Sequence, residues 1–318
     1  MDNAKSVLVL TRDHDAQLAK LKRIPHTTGT RAAEFEKAAA TAAGILQWSA
    51  SRELLRTVFA MCANVKWVHS RSAGLDSILF PELVESDVIL TNGRGVFSAS
   101  LGEFALAAIL YFAKDFRRMI RSQSASRWEP FDVEVIAGKT VGIVGYGDIG
   151  RAVATRLHAM GMRVLATRRH IPQENDPLIE GYYQPEKLHE MLTDCDYVVV
   201  TAPLTEETRH MIGEAELAAM KPNAVVINVG RGQVIHEEAL VKALTSGRIK
   251  GAGLDVFEQE PLPAGHSLYR LENVLLSPHC ADNTPDWKDR AMDFFLQQYD
   301  RFLKDEPLEN VVNKRLGY

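Results

Sequence analysis

Four polar residues in the later part of the chain stand a few positions beyond short apolar runs: Arg231 after 224–228, Asp255 and Glu260 after 252–254, and His279 after 274–276. Runs of this length and β-branched content read as buried strands of a parallel sheet. Ligands of such sheets lie at the carboxyl ends of the strands, so an arginine, one or two carboxylates and an imidazole converge on one edge. A carboxylate paired with the imidazole raises the histidine pKa and fixes the ring, giving a proton donor and acceptor near neutral pH. An arginine beside it clamps a substrate carboxylate in a planar two-point contact. Singly, each residue has a plainer reading, a structural histidine or a solvated charge. Their coincidence at successive strand ends favours chemistry.

That chemistry needs a partner, and Gly145-Tyr146-Gly147-Asp148-Ile149-Gly150 suggests one. The G-x-G-x-x-G follows 140–144, where Val141, Ile143 and Val144 fit a buried strand, and precedes Ala152, Val153, Leu157 and Met160 at helical spacing. In that context Gly145 permits a tight turn, Gly147 lets a pyrophosphate approach the backbone, and Gly150 lets helix and strand pack closely. The phosphates then sit on a helix N-terminus. The alternative is a glycine-rich structural turn. The next strand, 164–166, closes on Thr167, Arg168 and Arg169, where an Asp or Glu normally binds the ribose hydroxyls of NAD. No carboxylate stands there. Thr167 can donate a hydrogen bond and the arginines suit a phosphate, so NADP(H) is the expected cofactor, with NAD(H) possible; otherwise both arginines are solvated charges. A nicotinamide supplies a hydride and the histidine a proton, which together interconvert a 2-keto acid and a 2-hydroxy acid.

The elements that must hold these residues alternate from 140 onwards. Strand-like runs at 140–144, 164–166, 197–201, 224–228, 252–254 and 274–276 are separated by mostly helical connections, the pattern of a six-stranded doubly wound parallel sheet. Earlier runs at 7–10, 43–46, 65–69 and 88–90 belong to a separate region. Between the two, Leu101, Phe104, Ala105, Ala108, Ile109 and Phe112 form one stripe of an amphipathic helix, with Ser100 and Glu103 as a capping-box signature. A last helix is expected over 286–303. At 318 residues the chain suffices for two domains.

The composition, 46% hydrophobic and 25% charged with a formal net charge of -4, is that of a soluble globular protein with no call for nucleic acid or an anionic membrane. Cys62, Cys195 and Cys280 have neither disulfide nor zinc spacing, so no metal is expected and a reducing, cytoplasmic compartment is the simplest reading. The run 7–10 is too short for a secretory core, the longest apolar run, 104–113, is too short to span a bilayer, and no lipidation signal stands at the C-terminus.

Several stretches resemble the D-isomer-specific 2-hydroxyacid dehydrogenases: Ser72-Ala73-Gly74-Leu75-Asp76, Pro203-Leu204-Thr205 through Thr208, Asn228-Val229-Gly230-Arg231-Gly232, Gly253-Leu254-Asp255 through Glu260-Pro261-Leu262-Pro263, and Ser277-Pro278-His279. The resemblance implies an α/β protein in which a doubly wound, Rossmann-type dinucleotide-binding domain, 99–285, is inserted into a smaller flavodoxin-like α/β substrate domain, 1–98 and 286–318. It implies that Arg231 binds the substrate carboxylate and carbonyl, that Glu260 partners the imidazole, and that His279 is the acid in reduction and the base in oxidation. Backbone groups around Ala73 and Gly74 would hold the carboxylate, Asp255 would contact the nicotinamide carboxamide, Ala202 and Pro203 would line the adenine side, Thr208 would lie near the phosphates, and Val229 joins the cofactor contacts.

Arg168 and Arg169 resemble the NADPH-dependent glyoxylate and hydroxypyruvate reductases of that family, while Glu260 in place of Gln speaks against formate dehydrogenase. The chain ends at Tyr318 without the regulatory extension of many phosphoglycerate dehydrogenases. Cys280, after His279, reads either as a thiol nucleophile or as a small buried residue. Trp48, Arg71, Trp287 and Arg290 either reach the pocket or are packing and surface residues. The expected activity is reduction of glyoxylate, hydroxypyruvate or pyruvate to the D-hydroxy acid by a homodimer; the helix from Ser100 is either the dimer contact, as the resemblance implies, or packed inside one subunit, where its stripe would look the same. The alternatives are a dinucleotide-sensing scaffold of corepressor type and an NAD-linked phosphoglycerate-type dehydrogenase.

Overall fold

The computed structural model describes residues 5–12, 14–171, 174 and 176–318. The backbone divides into two compact units, Met1–Phe97 with Thr284–Tyr318, and Ser98–Asn283, so the second unit interrupts the first in sequence.

In the second unit, strands β6 (Thr140–Val144), β7 (Arg163–Thr167), β8 (Gly181–Tyr183), β9 (Tyr197–Val200), β10 (Val225–Asn228), β11 (Gly251–Leu254) and β12 (Val274–Leu276) form one sheet. Their order is β12-β11-β10-β9-β6-β7-β8, and every pairing is parallel. Strands β6, β9, β10 and β11 are buried along their whole length, as a sheet covered on both faces requires. The six-strand expectation falls short by β8. Its Gly-Tyr-Tyr sequence is half-buried at the sheet edge, so it lacks the apolar run that marks the others.

The helix Ser98–Ala113 packs on the helix Asp148–Ala159 and on β10 and β11. A Cβ at Gly102 would lie 3.0 Å from the Ala152 carbonyl oxygen, which measures how closely the two helices approach. The apolar stripe is therefore used inside its own unit, the second of the two readings its pattern allows. No capping box forms at Ser100, because the helix begins at Ser98; the Ser100 hydroxyl donates to the Ala281 carbonyl at 2.6 Å instead. The second helix stops at Ala159, which leaves Met160 exposed beyond the expected apolar face.

In the first unit, β1 (Val7–Leu10), β2 (His26–Gly29), β3 (Gly44–Gln47), β4 (Trp67–Ser70) and β5 (Ile89–Asn92) pair in parallel in the order β2-β1-β3-β4-β5. Edge strand β2, His-Thr-Thr-Gly, is absent from the sequence expectation for the same reason as β8. The helix Trp287–Leu303 closes this core, with Phe295 stacked on Trp67 at 5.4 Å between centroids. Among the described residues no helix is long and apolar enough to cross a membrane.

Candidate active site

The glycine turn leaves β6 at the point where the strand order reverses between β6 and β9, which is where open α/β sheets form a ligand crevice. Gly145 has φ of 96° and a Cβ there would lie 2.6 Å from Ala202 backbone, so only glycine fits between the ends of β6 and β9. Nothing lies within 4 Å of a Cβ position on Gly147, and the helix Asp148–Ala159 starts without a side-chain cap. Open space beside uncapped N–H groups fits the pyrophosphate of a dinucleotide.

The neighbouring candidates brace this turn. Thr167 is buried; its hydroxyl oxygen accepts from Gly145 N at 3.0 Å and its carbonyl from Tyr146 N at 2.9 Å. Asp148 receives the Ser98 hydroxyl, Ile149 is half-buried, and the floor of the turn is Gly150, packed under the Gly145 carbonyl. Arg168 is exposed past β7, whereas Arg169 is ion-paired with Glu207. The Thr208 hydroxyl donates to the Pro203 carbonyl at 2.6 Å, knitting the turn after Ala202, and Val229 is buried with its N–H on the Val200 carbonyl. Sequence reasoning missed Asp176, which accepts from the Tyr146 hydroxyl at 2.8 Å and from Arg151 Nε at 3.1 Å. Thirty residues separate Tyr146 from Asp176, so no local pattern links them.

Three strand ends of the same sheet bring the proton-transfer candidates together. Asn228 closes β10 and splints the next turn, its Oδ1 accepting from Gly230 N and its Nδ2 donating to the Arg231 carbonyl, both at 3.0 Å. At Gly232 a Cβ would lie 1.9 Å from the Phe257 carbonyl carbon. Only a glycine lets the Arg231 turn run against the loop that carries Glu260. That loop fixes its own carboxylate, Phe257 N donating to Glu260 Oε1 at 3.0 Å. The second oxygen, Oε2, takes His279 Nδ1 at 2.6 Å. With Nδ1 committed, Nε2 is the ring atom left for proton transfer.

Asp255, at the end of β11, is buried, and its Oδ1 accepts from Ser277 Oγ at 2.5 Å, Cys280 N at 2.9 Å and Ala281 N at 3.0 Å. One carboxylate oxygen thus holds the whole turn on which His279 stands. His279 has φ of 51°, the left-handed region that non-glycine residues rarely occupy, and its N–H donates to the Asp255 carbonyl at 2.9 Å. Such strain persists only where surrounding bonds over-determine it, and it concentrates at functional sites. Cys280 is exposed, with Sγ 3.4 Å from Ser277 Oγ, contrary to a small buried residue.

The electrostatics follow from these contacts. The hydrogen bond with Glu260 raises the His279 pKa above the usual histidine range, against burial and the nearby Arg231 charge. Burial alone would raise Glu260, but His279 and the Phe257 N–H hold its carboxyl below the usual range. Burial, with the Asp255 charge beside it, pushes Asp282 up. Ala73 and Gly74 lie in the first unit, on the loop after β4, where Asn92 Nδ2 donates to the Ala73 carbonyl at 2.7 Å.

A doubly wound sheet with an open glycine turn at its switch point defines an α/β domain of the dinucleotide-binding, Rossmann type. The chain belongs to the D-isomer specific 2-hydroxyacid dehydrogenase family: the model of that family's NAD binding domain matches residues 106–281. The glyoxylate reductase of Thermococcus gammatolerans is 36% identical over 271 residues, 81% of this chain and 79% of that protein. The NADPH-dependent glyoxylate/hydroxypyruvate reductase of Sinorhizobium meliloti, solved with NADP and sulfate, is 27% identical with a TM-score of 0.85, covering 99% of this chain and 100% of that one. A family member from Xanthobacter autotrophicus, solved with NADPH and MES, is 30% identical with a TM-score of 0.83, covering 99% and 100%.

Proposed function

We propose that the protein reduces small 2-keto acids such as glyoxylate, hydroxypyruvate or pyruvate with NADPH, giving the D-hydroxy acid where the product is chiral. The His279–Glu260 hydrogen bond of 2.6 Å supports this reading most directly. When bound, the dinucleotide supplies a hydride. Glu260 keeps the imidazole charged, so that Nε2–H donates its proton to the carbonyl oxygen as that oxygen gains negative charge. Arg231 holds the substrate carboxylate and polarises the carbonyl, with backbone N–H groups at Ala73 and Gly74 as further carboxylate contacts. Asp255 keeps the His279 turn in register, and the family resemblance assigns it to the nicotinamide carboxamide.

Preference for NADPH is supported by the lack of a carboxylate at the end of β7 and by exposed Arg168. A homodimer belongs to the same reading through the family resemblance, with exposed Ile120, Trp128 and Val135 as candidate contacts. The test is a keto-acid panel run with NADPH and NADH on wild type and His279→Ala. NADPH oxidation should be fastest, and the variant should bind NADPH but not turn over. Near-normal turnover by the variant, or no turnover of any keto acid by wild type, would sink the assignment.

A further inference from the structure

The carboxyl edge of the first unit's sheet holds a charged cluster that hydride transfer does not use. The order β2-β1-β3-β4-β5 reverses between β1 and β3, and a sheet of this order opens its ligand crevice at that switch. Beyond the ends of β1, β3 and β4 stand Asp15, Trp48 and Arg71. The Arg71 guanidinium lies over the rings of both Trp48 and Trp287, 4.9 Å from each centroid. Two indoles cover the cation and leave its N–H edge to bond.

That edge is poorly served among the described residues. Arg71 Nε is buried without a hydrogen-bond partner. Its ion pair is long, with Asp15 Oδ2 3.7 Å from the guanidinium, beyond hydrogen-bond reach. Asp15 is already engaged by Lys288 Nζ at 2.5 Å and Trp48 Nε1 at 2.8 Å. Two cations therefore share one carboxylate, and Arg12 adds a further positive charge that Arg71 feels. A half-buried guanidinium with Nε unbonded and only a long ion pair at Nη1 is under-served, and it is the group best suited to bond an anion in two places.

We propose that Arg71 sets substrate specificity by bonding a second anionic group at the far end of the 2-keto acid. The inference rests on the reductase reading above and narrows it: among small keto acids, those with two anionic groups are preferred. Ala73 and Gly74, assigned there to the first carboxylate, follow Arg71 by two and three residues, a chain span of at most about 7–11 Å. That is the length scale of a short keto diacid. A carboxylate and a phosphate share the required chemistry.

The experiment compares kcat and KM for glyoxylate, oxaloacetate, 2-oxoglutarate and phosphohydroxypyruvate in wild type, Arg71→Lys and Arg71→Met, with thermal melts to confirm folding. Wild type should favour at least one dianionic substrate over glyoxylate. In Arg71→Met the preference should fall by about 30- to 4,000-fold, chiefly through KM, the range for unpairing a desolvated charge. Arg71→Lys, which keeps the charge but not the planar fork, should fall between. A loss confined to the keto diacids assigns a carboxylate; one confined to phosphohydroxypyruvate assigns a phosphate. If Arg71→Met does not fold, Trp48→Phe, which loosens the clamp, should lower the same preference. An unmoved preference in folded variants, or a wild type that favours glyoxylate, overturns the role of Arg71 alone. No turnover of any keto acid by wild type overturns the reductase reading and this inference with it.

Discussion

Replacing His69 by Phe should make the first unit less sensitive to acid. His69 lies on β4, two residues before Arg71, and is wholly buried against Trp67, Phe294 and Phe295. Its Nδ1 is 2.8 Å from Thr91 Oγ1, while Nε2 has no partner. Burial pushes the ring pKa down from 6.5 to about 3. The fold therefore keeps the ring neutral while the unfolded chain takes a proton below its ordinary pKa. Stability from this residue is fully present above about pH 6.5 and is lost as pH falls towards 3. The whole gap corresponds to about 5 kcal/mol, and at pH 5 about 2 kcal/mol of it is already gone. Against a total stability of roughly 5–15 kcal/mol that is a large fraction. Urea unfolding at pH 8 and pH 5, followed by tryptophan fluorescence, measures it, since Trp67 stacks on Phe295 beside the ring. Wild type should lose about 2 kcal/mol more than His69→Phe between the two pH values. Packing changes cancel because each protein is compared with itself. Equal losses in the two proteins would refute the reasoning.

In the reductive direction the rate should be full below the raised His279 pKa and fall as pH rises through it, and Glu260→Gln should move that fall to lower pH. The variant should also lose kcat within the roughly 100- to 10,000-fold that general acid catalysis contributes, as a pH–rate series will measure. Arg168→Ala should lower kcat/KM for NADPH by about 10- to 100-fold, the worth of a charge-assisted hydrogen bond, with NADH little moved. Gly232→Ala sets a Cβ 1.9 Å from the Phe257 carbonyl carbon and should cost about 1–3 kcal/mol in a melt, with lower turnover as Arg231 and the Glu260 loop are forced apart.

Strands buried on both faces were legible because their burial is written as apolar runs, as in Thr140–Val144 and Val225–Asn228. Edge strands β2 and β8 were not, because one side of each faces water and His, Thr, Gly and Tyr satisfy that position. The Ser100–Glu103 pair misled because a capping box describes only four residues, whereas the start of the Ser98–Ala113 helix is set by the turn before it. Thr167 had the right residue type and an unforeseen bond, since its hydroxyl oxygen turns inward to Gly145 N.

By itself, the order of residues determined that this protein is a parallel α/β dinucleotide binder, because strand, glycine turn and helix are local patterns with local causes. It also determined which polar residues follow which strands, and so which could meet at one edge. Tertiary structure alone decided that His279 meets Glu260 across nineteen residues, that one oxygen of Asp255 holds the histidine turn, and that Arg71 is clamped between Trp48 and Trp287. Hydrogen bonds, pKa shifts and desolvation act over a few ångströms of space, whatever the separation along the chain.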